Sequence, residues 1–207
     1  MMSENNPRTV SELLSPICGL GLIGLLRLVR DLMLTKIRFK KARLVRWPFY
    51  IRSEGEILIG EGFNADRGLK LEVRSPSGRI QIGKRCFTNA DLHVACINRV
   101  NIGDDVLIAS GVFVSDHSHG AYGAGGSSPD IAPNSRELIA KPVIIGDRCW
   151  LGERVSVLSG VTIGAGSVIG AGSVVTTDIP PNSIAVGVPA KVIKQYNDEK
   201  KGWYPIA

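Results

Sequence analysis

The chain is poor in aromatic residues, which make up 6% of its 207 positions. A core built on large rings is excluded at that level, so the 44% apolar content must pack through aliphatic side chains. Histidine is scarcer still: His93, His117 and His119 are the three in the sequence, and imidazole chemistry is confined to them. The four cysteines, Cys18, Cys86, Cys96 and Cys149, form no C-x-x-C pair and no zinc-type spacing. They fit reduced thiols of a cytoplasmic protein. No apolar run reaches the roughly 20 residues that span a bilayer. The longest covers residues 13–26 and is broken by Pro16 and by glycines. Its positive charges follow it, whereas a secretory signal carries them in front.

What the chain has in abundance is a period. Across residues 143–176, aliphatic side chains recur at Ile145, Leu151, Val157, Ile163, Ile169 and Val175, every sixth position. Two positions before each stand Val143, Cys149, Val155, Val161, Ser167 and Ser173, all small or β-branched. Gly follows most of the aliphatic residues, at 146, 152, 164 and 170. A period of six is neither helical nor plain alternation, and a hexapeptide repeat marks a parallel β-helix. The aliphatic residue of each repeat points inward, and Gly and Ser are expected to supply the backbone angles of the corners. Earlier steps are looser. Ile-Gly pairs at 59, 82 and 102 are 23 and 20 residues apart, and Ile108 and Val114 return to intervals of six.

The period stops between Val114 and Val143, in a segment rich in Gly, Ser and Pro. A long loop inside a regular solenoid is more often functional than decorative. It opens with Ser115-Asp116-His117-Ser118-His119-Gly120. Either His117 or His119 can serve as a general base, with Asp116 orienting the imidazole. A His-x-His pair can also hold a metal, but that needs a third or fourth ligand. The loop has no Cys, and Asp130 and Glu137 are distant in sequence, so no metal is expected. His93 is expected to face outward from a degraded coil. Past Val175 the chain turns out at Asp178. Residues 184–190 read as extended, and residues 191–201 as a short polar helix or tail.

Charge is uneven. Residues 27–52 carry nine Lys and Arg against Asp31, a net +8 in a chain whose total is +6. The remainder is therefore slightly acidic. No nucleic-acid recognition motif accompanies the basic run, so no nucleic acid is expected as a partner. Three placements of the segment stand side by side. It packs as a helix on the solenoid end or between subunits, it lies on an anionic membrane surface through residues 13–46, or it spans a membrane.

The stretch 142–194 closely resembles the C-terminal half of hexapeptide-repeat acyltransferases, nearest to the maltose, galactoside and polysaccharide O-acetyltransferases. The Ile145-Gly146 step before Trp150, the coil Gly170-Ala171-Gly172-Ser173-Val174-Val175, the turn Asp178-Ile179-Pro180-Pro181 and the loop Gly187-Val188-Pro189-Ala190-Lys191 carry the likeness. It implies an all-β, left-handed parallel β-helix with an N-terminal helical segment and a C-terminal extension. The expected organisation is a helical, basic segment at 1–52, the solenoid at 53–194 with a projecting loop at 115–141, and a tail at 195–207.

The resemblance further implies an acetyl-CoA-dependent transfer to a sugar hydroxyl of envelope polysaccharide or lipopolysaccharide, in a homotrimer. A cytoplasmic enzyme is expected, peripheral to the membrane where a lipid-linked saccharide is the acceptor. By family register His119 lies nearer the base position, with His117 almost equal. Cofactor contacts implied are Trp150, Gly152, Ala171, Thr176, Thr177, Lys191 and Lys194. Many relatives have Lys where Thr177 stands. The loop residues Tyr122, Asn134 and Arg136 are expected to shape the acceptor site. N-acetylation of an amino sugar, a non-catalytic scaffold, and a metal-dependent β-helix enzyme such as a carbonic anhydrase are the alternatives.

Overall fold

The computed structural model describes residues 21–206. The apolar stretch 13–20 and Cys18 lie outside the described residues. The chain winds through about seven coils of a left-handed β-helix. Each coil lays one short strand on each of three parallel faces. The first face stacks Leu44–Val45, Asn64–Ala65, Phe87–Thr88, Leu107–Ile108, Trp150–Leu151, Val168–Ile169 and Ser183–Gly187. The second runs from Phe49–Ser53 to Val174–Val175, and the third from Glu56–Ile59 to Thr162–Ile163.

Both inward columns expected from the period of six are buried. Ile145, Leu151, Val157, Ile163, Ile169 and Val175 are no more than 1% exposed, and Cys149, Ser167 and Ser173 join them. Burial of the thiol pushes Cys86 up to about 11, and Cys96 up to about 12. These are packing residues with little thiolate at neutral pH.

The glycines after the aliphatic residues differ from expectation in their reason. They do not supply the positive φ of the corners. That slot falls two residues later, at Arg148, Arg154, Gly160, Gly166 and Gly172, again every sixth position. The Ile-Gly glycine is needed because the next coil lies against it. A Cβ on Gly146 would sit 2.6 Å from the Ala165 backbone nitrogen, and one on Gly152 2.6 Å from that of Ala171.

Three features also differ. The solenoid begins at Leu44, ahead of residue 53, because the strands at 44–45 and 49–53 already pair with the next coil. The stretches 61–79 and 84–99, irregular in sequence, form complete coils with longer strands such as Leu69–Val73 and His93–Cys96. Residues 191–201 are not a helix or tail. Ala190–Asn197 folds back on Ser183–Gly187 and then pairs with Gly202–Pro205, so an antiparallel hairpin extends the first face.

Helix α1 (Leu22–Arg38) docks on the first coil with the wrong side for an ordinary amphipathic helix. Its buried residues are Asp31 and Thr35. Thr35 Oγ1 accepts from the Val45 N–H at 2.8 Å, and Asp31 accepts from Trp47 N–H at 3.2 Å while pairing with Arg30. Leu22, Ile23, Leu26, Val29, Met33 and Ile37 all remain exposed. No helix among the described residues is long and apolar enough to cross a membrane.

Candidate active site

The projecting loop leaves the solenoid at the corner between the second and third faces of the fourth coil. Its two ends zip together as an antiparallel ladder, pairing His117 with Ala140, Ser118 with Ile139 and His119 with Leu138. A clip closes its base. The Asp116 carbonyl accepts from Lys141 N–H at 2.9 Å and from Ser159 Oγ at 2.6 Å. Ser159 belongs to the next coil, so the loop is fastened to the regular repeats. The sequence reading missed Ser159, whose slot in the repeat shows nothing unusual.

Asp116 is fully buried at this base. Its carboxylate accepts from three successive backbone N–H groups, Ile97 at 3.0 Å, Asn98 at 2.7 Å and Arg99 at 2.7 Å. Oδ1 also meets His117 Nδ1 at 2.8 Å. Burial works against the charge, but the contacts to His117, Asn98 and Ile97 together outweigh it and hold the carboxyl below its ordinary range. A carboxylate fixed in that way keeps the proton of neutral His117 on Nδ1. Nε2 is then the basic nitrogen, and no hydrogen bond from the described residues occupies it. The His117 side chain is 12% exposed, enough to meet a ligand from the outside.

The two loop histidines differ sharply. His119 is exposed, and its carbonyl oxygen, not its ring, has the nearby partner: Tyr122 Oη donates to it at 2.6 Å. The loop residues Tyr122 and Arg136 are tied to each other. Arg136 donates to Tyr122 Oη at 3.1 Å and to the Ile131 carbonyl at 2.9 Å, so this guanidinium braces the loop. Asn134 lies exposed in the short 3-10 turn Pro133–Ser135. His93 sits on the second face, outside the loop base, with Nε2 at 2.9 Å from Glu72 Oε2.

The residues expected to hold the cofactor separate into two groups. Trp150 stands half exposed on the first face, in register with Leu107 and Val168. Gly152 and Ala171 follow at the corner of the first and second faces, stacked in consecutive coils. Gly152 is buried between those coils, and an open cleft of about 410 Å³ lies against Ala171 and Gly172 with Glu153 and Arg154 beside it. Lys194 pairs with Ile184, which pairs with Val168, so it continues the row that holds Trp150. Lys191 is exposed and pairs with Val186, beside Gly170. Thr176 and Thr177 fall elsewhere, at the corner of the second and third faces. That is the corner of Asp116, two coils on, about 10 Å at the ~4.8 Å spacing of strands. One whole face, on the order of 15–20 Å of strand, separates the two groups. Arg154 was not anticipated. Its sequence signal is an Arg in a slot that Gly fills at 160, 166 and 172.

Among the described residues no group of three or more His, Cys, Asp or Glu is placed to hold a metal ion.

A regular six-residue solenoid carrying one loop with a buried Asp against a half-buried His at its base defines a class. The family model for the bacterial transferase hexapeptide (six repeats) matches residues 142–177. The chain is 47% identical over 185 residues to WbbJ of Escherichia coli K12, a protein named for O-acetyl transfer in lipopolysaccharide biosynthesis. That match covers 88% of this chain and 94% of the relative. Galactoside O-acetyltransferase of the same organism is 42% identical over 72% of each chain. A galactoside acetyltransferase solved in complex with coenzyme A superposes with a TM-score of 0.53 and 35% identity, over 72% of this chain and 68% of that one. The chain belongs to the hexapeptide-repeat acetyltransferases.

Proposed function

We propose that the protein transfers an acetyl group from acetyl-CoA to a hydroxyl of an envelope saccharide, with His117 as general base. The observation that carries this reading is the buried Asp116 carboxylate on His117 Nδ1, at the root of the loop. Nε2 accepts the acceptor's hydroxyl proton as that oxygen attacks the thioester carbonyl carbon. Asp116 stabilises the imidazolium that forms. The C–S bond then breaks, the sulfur takes the proton from His117, and an acetate ester and free CoA leave. Base catalysis of this kind is worth about 10²–10⁴ in rate. The name of WbbJ supports a lipopolysaccharide acceptor, and the CoA complex of the galactoside enzyme supports the donor.

Two further parts of the reading follow from the layout. The cofactor group on the first face and the base on the far corner cannot serve one reaction centre within a single solenoid. A homotrimer that sets the first-face corner of one copy beside the loop corner of the next unites them. The exposed apolar side of α1, flanked by Arg27, Lys36 and Lys40, supports a peripheral contact with anionic lipid, where a lipid-linked acceptor is presented. The test of the chemistry is thiol release from acetyl-CoA with a panel of sugars. His117→Ala is expected to abolish release while CoA still binds, and His119→Ala to leave most of it. Equal loss in both variants, or in neither, overturns the assignment.

A further inference from the structure

Directly below the Asp116–His117 pair, the same corner of the first three coils holds a polar cavity of about 390 Å³. Glu56, Ser77, Gly78, Arg79, Asn98 and Arg99 line it. The cavity is joined to the catalytic pair through the backbone, because the N–H groups of Asn98 and Arg99 are two of those that hold Asp116. Arg79 and Arg99 face each other in register on adjacent parallel strands. Like charges placed directly opposite cost stability. Glu56, in register with Arg79 on the other side, forms an ion pair with that residue. Arg99 makes no ion pair or side-chain hydrogen bond among the described residues. Two arginines in register against one carboxylate leave the recess net cationic.

We infer that Arg99, together with Arg79 and Asn98, binds a phosphate or diphosphate ester carried by the sugar acceptor. The inference rests on the reading of His117 as the base that meets this acceptor. Guanidinium forks match phosphate oxygens in pairs, which is the recognition Arg performs best. The spacing fits as well. Arg99 is one coil below His117 and Arg79 two, about 5 and 10 Å along the axis. That is the reach of one or two sugar rings between a reacting hydroxyl and a phosphate on the anomeric carbon. A diphosphate of this kind comes from a nucleotide-linked or an isoprenoid-linked sugar, and the arms below separate them.

The experiment uses the full chain saturated with CoA, so that the donor's own phosphate site is filled. Inorganic pyrophosphate is titrated by calorimetry into wild type, Arg99→Gln, Arg79→Gln and Lys84→Gln. Wild type is expected to bind it with one site per chain. Arg99→Gln is expected to weaken binding at least tenfold, Arg79→Gln to weaken it less, and Arg99→Lys to recover part of the loss. Lys84→Gln, at a separate basic cleft, is expected to bind as wild type does. Uridine diphosphate and farnesyl diphosphate in phosphatidylcholine vesicles are run in parallel, and the tighter of the two identifies the source. Pyrophosphate binding that is absent from wild type, or equal in Arg99→Gln, overturns the inference. Thiol release is measured separately. A protein that binds pyrophosphate through Arg99 but releases no thiol keeps the site and loses the acetyltransferase reading, and the converse result does the opposite.

Discussion

Asp116→Asn tests the site most directly, because the substitution keeps shape and removes charge. Oδ2 of the carboxylate now accepts from Asn98 and Arg99 N–H, while Oδ1 accepts from Ile97 N–H and meets His117 Nδ1. An amide has one oxygen and one NH2 to divide between them. Turning the NH2 toward Asn98 and Arg99 leaves both of those N–H groups unpartnered, at about 1–3 kcal/mol for each. The oxygen therefore stays on the backbone side, and the NH2 faces Nδ1. Nδ1 must then accept, the ring proton moves to Nε2, and Nε2 no longer accepts a proton from the acceptor. The fold is expected to survive with a loss of about 1–3 kcal/mol, since charged hydrogen bonds become neutral ones. The specificity constant kcat/KM is expected to fall by about 10²–10⁴, or roughly 3–5 kcal/mol of transition-state stabilisation. Thiol release and thermal melts of the same preparation read both effects. The pH dependence adds a sign. The folded carboxyl titrates below its ordinary value, so its stabilisation is complete above the unfolded pKa of about 4 and declines as pH falls toward the folded value. The stability gap between wild type and Asp116→Asn should be flat from neutral pH to about 4 and then close. Wild-type turnover in the variant, or a gap that widens in acid, refutes the tautomer argument.

Gly152→Ala should lower stability by about 1–3 kcal/mol, read as a drop in Tm, because its Cβ meets the Ala171 backbone nitrogen at 2.6 Å and backbone cannot swing aside. Ser159→Ala should cost about 1 kcal/mol and speed hydrogen exchange at Lys141, since it removes the hydroxyl that clips the loop to the next coil. Unchanged exchange there would show that the ladder alone closes the loop. In a Cys18→Ser background, iodoacetamide at pH 8 should label none of Cys86, Cys96 and Cys149 until the protein unfolds; burial raises all three thiols, Cys86 to about 11 and Cys96 to about 12. Leu26→Lys with Met33→Lys should abolish sedimentation with phosphatidylglycerol vesicles while leaving Tm within about 1 °C. A lower Tm instead would mean that this face is packed against protein.

The solenoid was legible because its determinant is local and repeated. One inward residue per hexapeptide is written in the sequence wherever the coil is minimal, as it is from Val143 to Val175. The first three coils hid themselves because their strands run longer, to five residues at Leu69–Val73, which inserts pairs and breaks the count without breaking the stack. The C-terminal hairpin was missed for another reason. Residues 191–201 alternate weakly and are polar, and what makes them a strand is the open edge of Ser183–Gly187, a feature of the stack and not of the segment. The inverted docking of α1 was equally invisible, since an amphipathic pattern says that a helix has an apolar side and not which way that side turns.

The histidine assignment shows where register alone stops being informative. His117 and His119 are two residues apart on one strand, so their side chains leave the same face of the loop ladder, and spacing from the preceding coil distinguishes them poorly. What separates them is the residue before. Asp116 is the first position after the buried Val114 and Ser115, and it is drawn into the corner because three backbone N–H groups of the coil below converge there. That buried carboxylate reaches only the ring next to it. The same three N–H groups belong to Ile97, Asn98 and Arg99, whose side chains and neighbours open the cationic recess beneath. Base and recess are thus coupled by one corner of the stack: any shift of the third coil that moves Arg99 also moves the anchor of His117. An acceptor held through its phosphate on Arg99 would therefore meet an imidazole whose position is set by the same strand.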